Sequence, residues 1–135
     1  MDAVTRVGLE EGEVSDPKPT LALDFDGVLH SYSGWAGSAM GQPVPGAVEF
    51  CRRAGKRFHL VVYSTRALEP DQRVQMGIWL SQHGFPAMLV TAQKPPALVY
   101  LDDRGWRFDG TWPNVEELAQ LRAWWEPSRD AETPA

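Results

Sequence analysis

The sequence holds a single cysteine, Cys51, among 135 residues. One thiol cannot close an internal disulfide, and nothing resembles a cluster of zinc ligands. A disulfide-stapled or zinc-stapled scaffold is therefore excluded, and a reducing cytoplasm is the simplest setting. Long apolar runs are missing too. None approaches the roughly 18 residues a membrane-spanning helix needs, and the polar, acidic stretch from Met1 to Pro19 has no apolar core for a secretory signal. Basic runs are also lacking. With 13 Lys and Arg against 18 Asp and Glu, the formal net charge is −5. A general nucleic-acid or membrane-surface binder needs a broad basic face, so a membrane partner is not expected and nucleic acid is disfavoured. The balance still allows a small basic pocket.

What remains is ordinary globular composition, 43% hydrophobic and 23% charged, in about one domain's length. The reading divides the chain into a flexible lead-in over 1–19, a folded domain over 20–126 and a loose tail over 127–135. Within the domain the pattern alternates. Thr20 to Phe25 is a short apolar run ending in acid, a buried strand. Pro45 to Ala54 fits a helix with proline in its first turn and Gly55 just past its end. Phe58 to Tyr63 reads as a strand. Pro70 to His83 places Met76, Trp79, Leu80 and His83 at helical spacing, and Gly84 stops it. Ala87 to Val90 and Leu98 to Leu101 are two further strands. Asn114 caps a last helix carrying Val115, Leu118, Leu121 or Arg122, and Trp125 on one face. Trp106 to Trp112 offers an edge strand. Alternating strands and helices imply βαβ units, hence an α/β domain of three layers around a mainly parallel sheet.

In such sheets, ligands bind beyond the carboxyl ends of the strands. The residues following each expected strand are Asp24-Phe25-Asp26-Gly27-Val28, then Ser64-Thr65-Arg66, then Thr91 to Lys94, then Asp102-Asp103-Arg104. Carboxylates crowded at one edge repel one another unless a cation neutralises them, and an all-oxygen donor set favours Mg²⁺. A phosphate adds more negative charge, which the cation and Lys94 offset while the Ser64 hydroxyl donates a hydrogen bond. Asp24 is then placed to attack phosphorus. Asp26, two residues on in extended chain, faces the same side and is placed to protonate the leaving oxygen and later to take a proton from water. Gly27 lets the chain turn sharply past the site.

The succession DFDGV, VVYSTR, a lysine and VYLDDR resembles the haloacid dehalogenase superfamily over roughly Leu21 to Arg104. The resemblance implies a Rossmann-like sheet, with Asp24 as nucleophile, Asp26 as acid/base, Ser64 as the phosphate-binding hydroxyl and Lys94 as the phosphoryl-stabilising lysine. It also implies Mg²⁺ bound by Asp24, by the backbone carbonyl of Asp26 and by an acid of the fourth motif, Asp103 ranking ahead of Asp102. A second Asp at position 26 goes with the family's phosphatases and phosphotransferases. The expectation is thus a Mg²⁺-dependent phosphomonoester hydrolase.

Other assignments stay open at this point. Thr65 is the alternative hydroxyl, or a helix cap. Arg66 and Arg104 are candidate contacts for phosphate or leaving group, or surface ion-pair partners. His30 is a candidate lining the entrance, and Trp35 a candidate substrate platform; the remaining tryptophans are expected to pack core or helix faces. His59 and His83 read as structural, and Cys51 as a small buried hydrophobe. Only 39 residues separate Asp24 from Ser64, leaving His30 to Val44 as a loop or small hairpin and no room for a cap domain. A capless site admits a bulky phosphorylated substrate, or a small phosphoester if another subunit provides the lid. The rival readings are a binding or regulatory module that has lost turnover, and a nucleotide or nucleic-acid end phosphatase.

Overall fold

A computed structural model describes residues 18–32 and 40–127. Trp35 and most of both expected flexible ends lie outside these residues. Four parallel strands form one sheet in the order β3-β2-β1-β4. They are β1 (Thr20–Asp24), β2 (His59–Tyr63), β3 (Leu89–Thr91) and β4 (Val99–Leu101). β1 and β2 each bury three consecutive residues, Leu21 to Leu23 and Leu60 to Val62. A parallel sheet covered on both faces selects such continuous apolar runs rather than alternation, which is why TLALD and HLVVY announce themselves. Asp24 pairs with Tyr63, and Tyr63 with Thr91, so neighbouring strands end level with one another.

Two helices supply much of the cover. α1 (Ala47–Ala54) buries Ala47, Cys51 and Ala54. It begins two residues later than the proline suggested, because Gly46 is left-handed (φ 87°) and leaves Pro45 outside. α2 (Pro70–Gln82) carries Pro at its first turn and buries Met76, Trp79 and Leu80, each worth about 1.5–3 kcal/mol of apolar burial. Its stop at Gly84 is as expected, in the left-handed region at φ 84°. The Trp79 ring lies against Phe25 at 5.2 Å, His30 at 5.2 Å and Phe85 at 5.5 Å. A short 3-10 turn, Thr65–Leu68, leads from β2 towards α2. In the described parts of the stretch expected as a loop or small hairpin, the chain pairs antiparallel beside His30: Ser31 N–H donates to the Gln42 carbonyl (2.8 Å) and Val44 N–H to that of Leu29 (2.8 Å).

The carboxyl-terminal third departs from the sequence reading. α3 spans only Val115–Ala119 and buries nothing. Asn114 caps it as expected, accepting from Glu117 N–H at 3.1 Å. Val115, Leu118 and Leu121 are nevertheless exposed, and a helix without packing on its apolar stripe does not propagate. Trp125 lies beyond it. Trp106 to Trp112 forms no strand among the described residues; Asp109 accepts from Thr111 N–H (3.0 Å) and Gly110 takes φ 98°, which turns the chain. Trp106, Trp112 and Trp124 are exposed rather than packed. β3 starts at Leu89 instead of Ala87, leaving Met88 outside it. Among the described residues no helix is long and apolar enough to cross a membrane.

Leu23 sits fully buried between Val62 and Leu101 at the sheet centre. Leu23→Ala is expected to cost about 2–5 kcal/mol in urea unfolding; a cost under about 1 kcal/mol would contradict this central placement.

Candidate active site

Because all strands run one way, their carboxyl ends share an edge, and the loops leaving it enclose an open cleft of about 550 Å³. Asp24, Asp26, Ser64, Thr65, Lys94, Asp102, Asp103 and Arg104 line it together with Tyr32, Tyr63, Ala92 and Trp125. Eight of the residues singled out in the sequence thus come together here. Arg66 and His30 do not line the cleft.

Asp24 ends β1, and its carboxylate accepts from Phe25 N–H at 2.9 Å. The chain then turns through Gly27 at φ 86°. A Cβ there would collide with Asp103 Oδ2 and stand 2.7 Å from Trp125 Nε1. Glycine is what allows the loop after β1 to approach the acid after β4. Carboxylate oxygens of Asp24, Asp102 and Asp103, one from each, all lie within 4.8 Å of one another. Burial pushes the Asp24 carboxyl up, and a hydrogen bond with Asp103 and the charge of Asp102 add to this, to about 8. Burial and the neighbouring acids thus favour a protonated carboxyl at Asp24. Three converging hard oxygen donors could hold a metal ion, which would take the place of a proton there. Asp102 is itself braced: Tyr63 Oη donates to it at 3.0 Å and Arg104 N–H at 2.8 Å. Burial, and then Asp102, drive the Tyr63 phenol above its ordinary range.

Ser64 caps the 3-10 turn, its Oγ accepting from Arg66 N–H at 3.1 Å. The cap is thus Ser64 and not Thr65. The hydroxyl proton of Ser64 is not used in that bond, so the group can still donate into the cleft. Lys94 is exposed, with Nζ 4.4 Å from the centre of the Tyr100 ring.

Arg66 and His30 require correction. Arg66 is buried, and it donates through Nη2 to Asp26 Oδ1 (2.8 Å) and through Nε to Asp26 Oδ2 (3.2 Å), with Nη1 on Gln72 (3.1 Å). This fork grips a carboxylate inside the protein rather than a ligand. His30 is likewise buried, not at the entrance, and stacks on Phe25 at 5.0 Å. Gly41 N–H donates to its Nε2 at 2.6 Å, which leaves Nδ1 to donate to Asp26 Oδ1 at 2.8 Å. Burial opposes a charge on Asp26, but the hydrogen bonds from His30 and Arg66 prevail and lower its pKa. Arg104 lies on the rim, 3.3 Å from Glu126 and over the Trp125 ring at 5.3 Å.

Tyr32, Tyr63 and the pair Trp124–Trp125 were not singled out as site residues in the sequence, Trp125 being read as part of a helix face. Tyr63 was findable, since it stands at the end of β2 beside Ser64. The tryptophans were not, because a coil of no recognisable pattern brings them to the site. Trp124 Nε1 donates to the Gly27 carbonyl and Trp125 Nε1 to Asp103 Oδ2, each at 2.7 Å.

No family model, no curated protein and no solved structure matches this chain. The fold and the cleft together describe a small α/β protein with a parallel sheet and an acidic site able to hold a cation.

The raised Asp24 carboxyl has a consequence for stability. Its proton is held more tightly folded than unfolded, so the stabilisation is complete below the ordinary 3.8 and is lost as pH rises towards about 8. Asp24→Asn removes this loss. In EDTA, the melting temperature of the variant minus that of the wild type is expected to grow from about pH 5 to about pH 9. A gap independent of pH would refute the crowding.

Proposed function

We propose that the protein is a divalent-cation-dependent phosphomonoester hydrolase of haloacid dehalogenase type, with a three-layer Rossmann-like core, no substantial cap and Asp24 as nucleophile. One observation carries the reading. Carboxylates, a hydroxyl and an amine following four separate strands meet in a single cleft. Each of these residues has a commonplace explanation alone; their convergence around one open space fits a phosphoryl group with its counter-ion.

In the proposed reaction an Asp24 oxygen forms a bond to phosphorus while the ester oxygen departs with its electron pair. Water then attacks the aspartyl-phosphate, releasing inorganic phosphate and regenerating Asp24. Lys94 and the Ser64 hydroxyl would donate to the transferring group, stabilising the charge that develops on it. Asp24, Asp103 or Asp102, and the Asp26 carbonyl would hold Mg²⁺, which supplies charge neutralisation and keeps Asp24 ionised. The exposed rim residues Thr65, Lys94, Asp102 and Arg104 favour a substrate that extends out of the cleft.

The contacts of Asp26 bear on its share of the work. With both oxygens engaged by Arg66 and one also by His30, it stands as a carboxylate. That suits taking a proton from the hydrolytic water better than giving one to a departing oxygen. Leaving groups that depart as stable anions are therefore favoured.

Two measurements test this. Asp24→Asn, with its fold confirmed by circular dichroism, should reduce Mg²⁺-dependent hydrolysis of a generic aryl phosphate to the uncatalysed background, as EDTA should for the wild type. Wild-type-like turnover in the variant rules the mechanism out. Across aryl phosphates, kcat/KM should fall steeply as the leaving-group pKa rises. A flat dependence would mean that the leaving oxygen is protonated and would overturn the assignment of Asp26 as a base.

A further inference from the structure

We propose that Trp125 is a positioning residue of the cleft, its indole N–H fixing the Asp103 carboxylate in the orientation that receives a divalent cation. The inference rests on the functional reading above for the presence of the cation, and on geometry for everything else. Trp125 Nε1 lies 2.7 Å from Asp103 Oδ2. The bond spans 22 residues and comes from irregular chain, so it is a tertiary contact and not a product of local turn geometry.

The indole is itself held from several sides. Its neighbour Trp124 donates to the Gly27 carbonyl at 2.7 Å. Ala123, one residue earlier, is fully buried, and its N–H donates to Glu126 Oε1 at 2.7 Å. Glu126 pairs with Arg104 at 3.3 Å, and the Arg104 guanidinium lies over the Trp125 ring. Tyr32 meets that ring at 86° with centroids 5.0 Å apart. Arg104 and Tyr32 already occupy the ring, which argues against Trp125 as a stacking platform for substrate and leaves its N–H as the working group.

The choice of donor matters chemically. Asp103 stands among like charges and would relax towards water if nothing held it. A lysine or arginine in contact would hold it but would also neutralise it and compete with the incoming cation. Indole offers one N–H and no formal charge, so it orients the carboxylate while preserving its attraction for a metal. Partners behind metal ligands commonly set affinity in this way.

Trp125→Phe keeps an aromatic ring beside Arg104 and Tyr32 and removes the donor together with the pyrrole edge that carries it. Binding of Mn²⁺, followed by the electron paramagnetic resonance of the free ion, should weaken about 10- to 100-fold in the variant. Unchanged affinity, with wild-type binding intact, overturns the inference and leaves the functional reading standing. Failure of the wild type to bind Mn²⁺ overturns both. A second measurement needs no substitution: in a Mg²⁺ titration of the ¹⁵N-labelled wild type, the Trp125 indole N–H resonance should shift with the same midpoint as metal binding. An indole resonance unmoved at saturation also overturns the inference.

Discussion

Burial of Asp24 beside two further acids, Asp102 and Asp103, is the constraint around which this site is arranged. A parallel sheet brings the ends of β1 and β4 side by side, and both ends are acidic. Folding therefore concentrates negative charge that the unfolded chain keeps dispersed. The site answers with a raised proton affinity at Asp24 and with neutral donors from Tyr63 and Trp125 on the flanking acids. None of these donors cancels the charge. The arrangement keeps the acids together in a set that could hold a metal ion.

Asp26 belongs to a different regime although it is only two residues from Asp24. Its charge is met in full by the buried Arg66 fork and by the Nδ1–H of His30. Adjacent carboxylates thus carry opposite shifts, one raised by crowding and burial and the other lowered by its partners. Environments that push two neighbouring acids apart give them distinct chemical roles. Here the division follows from side-chain direction: one carboxylate joins the acids of β4, the other turns towards the 3-10 turn after β2.

The part of the fold that was legible in the sequence is the part buried on both sides. The runs Leu21 to Leu23 and Leu60 to Val62 can hardly be anything but central strands, and Met76, Trp79 and Leu80 mark the inner face of α2. The cleft was legible for the same reason, because Asp24, Ser64, Lys94 and Asp103 each follow a strand and a parallel sheet delivers such positions to one edge. Legibility failed where solvent takes the place of packing. Val115, Leu118 and Leu121 have helical spacing but no surface to cover, so the pattern overstated α3. It failed again for Arg66 and His30, whose polar character suggested ligand contact while their partners lay inside the protein. Trp125 was read as a helix residue because its true neighbour, Asp103, is 22 positions away through chain without periodicity.

The bond from Trp124 to the Gly27 carbonyl joins positions 97 residues apart, and this has a bearing on biosynthesis. A ribosome delivers the β1 loop well before the tryptophan pair. The sheet's apolar strands can associate while synthesis continues, yet the brace behind Asp103 cannot form until residue 125 has emerged. Completion of the cleft thus waits on a pair made 97 residues after the β1 loop, and a chain cut short before that pair would retain its acids without the indoles that hold them in place.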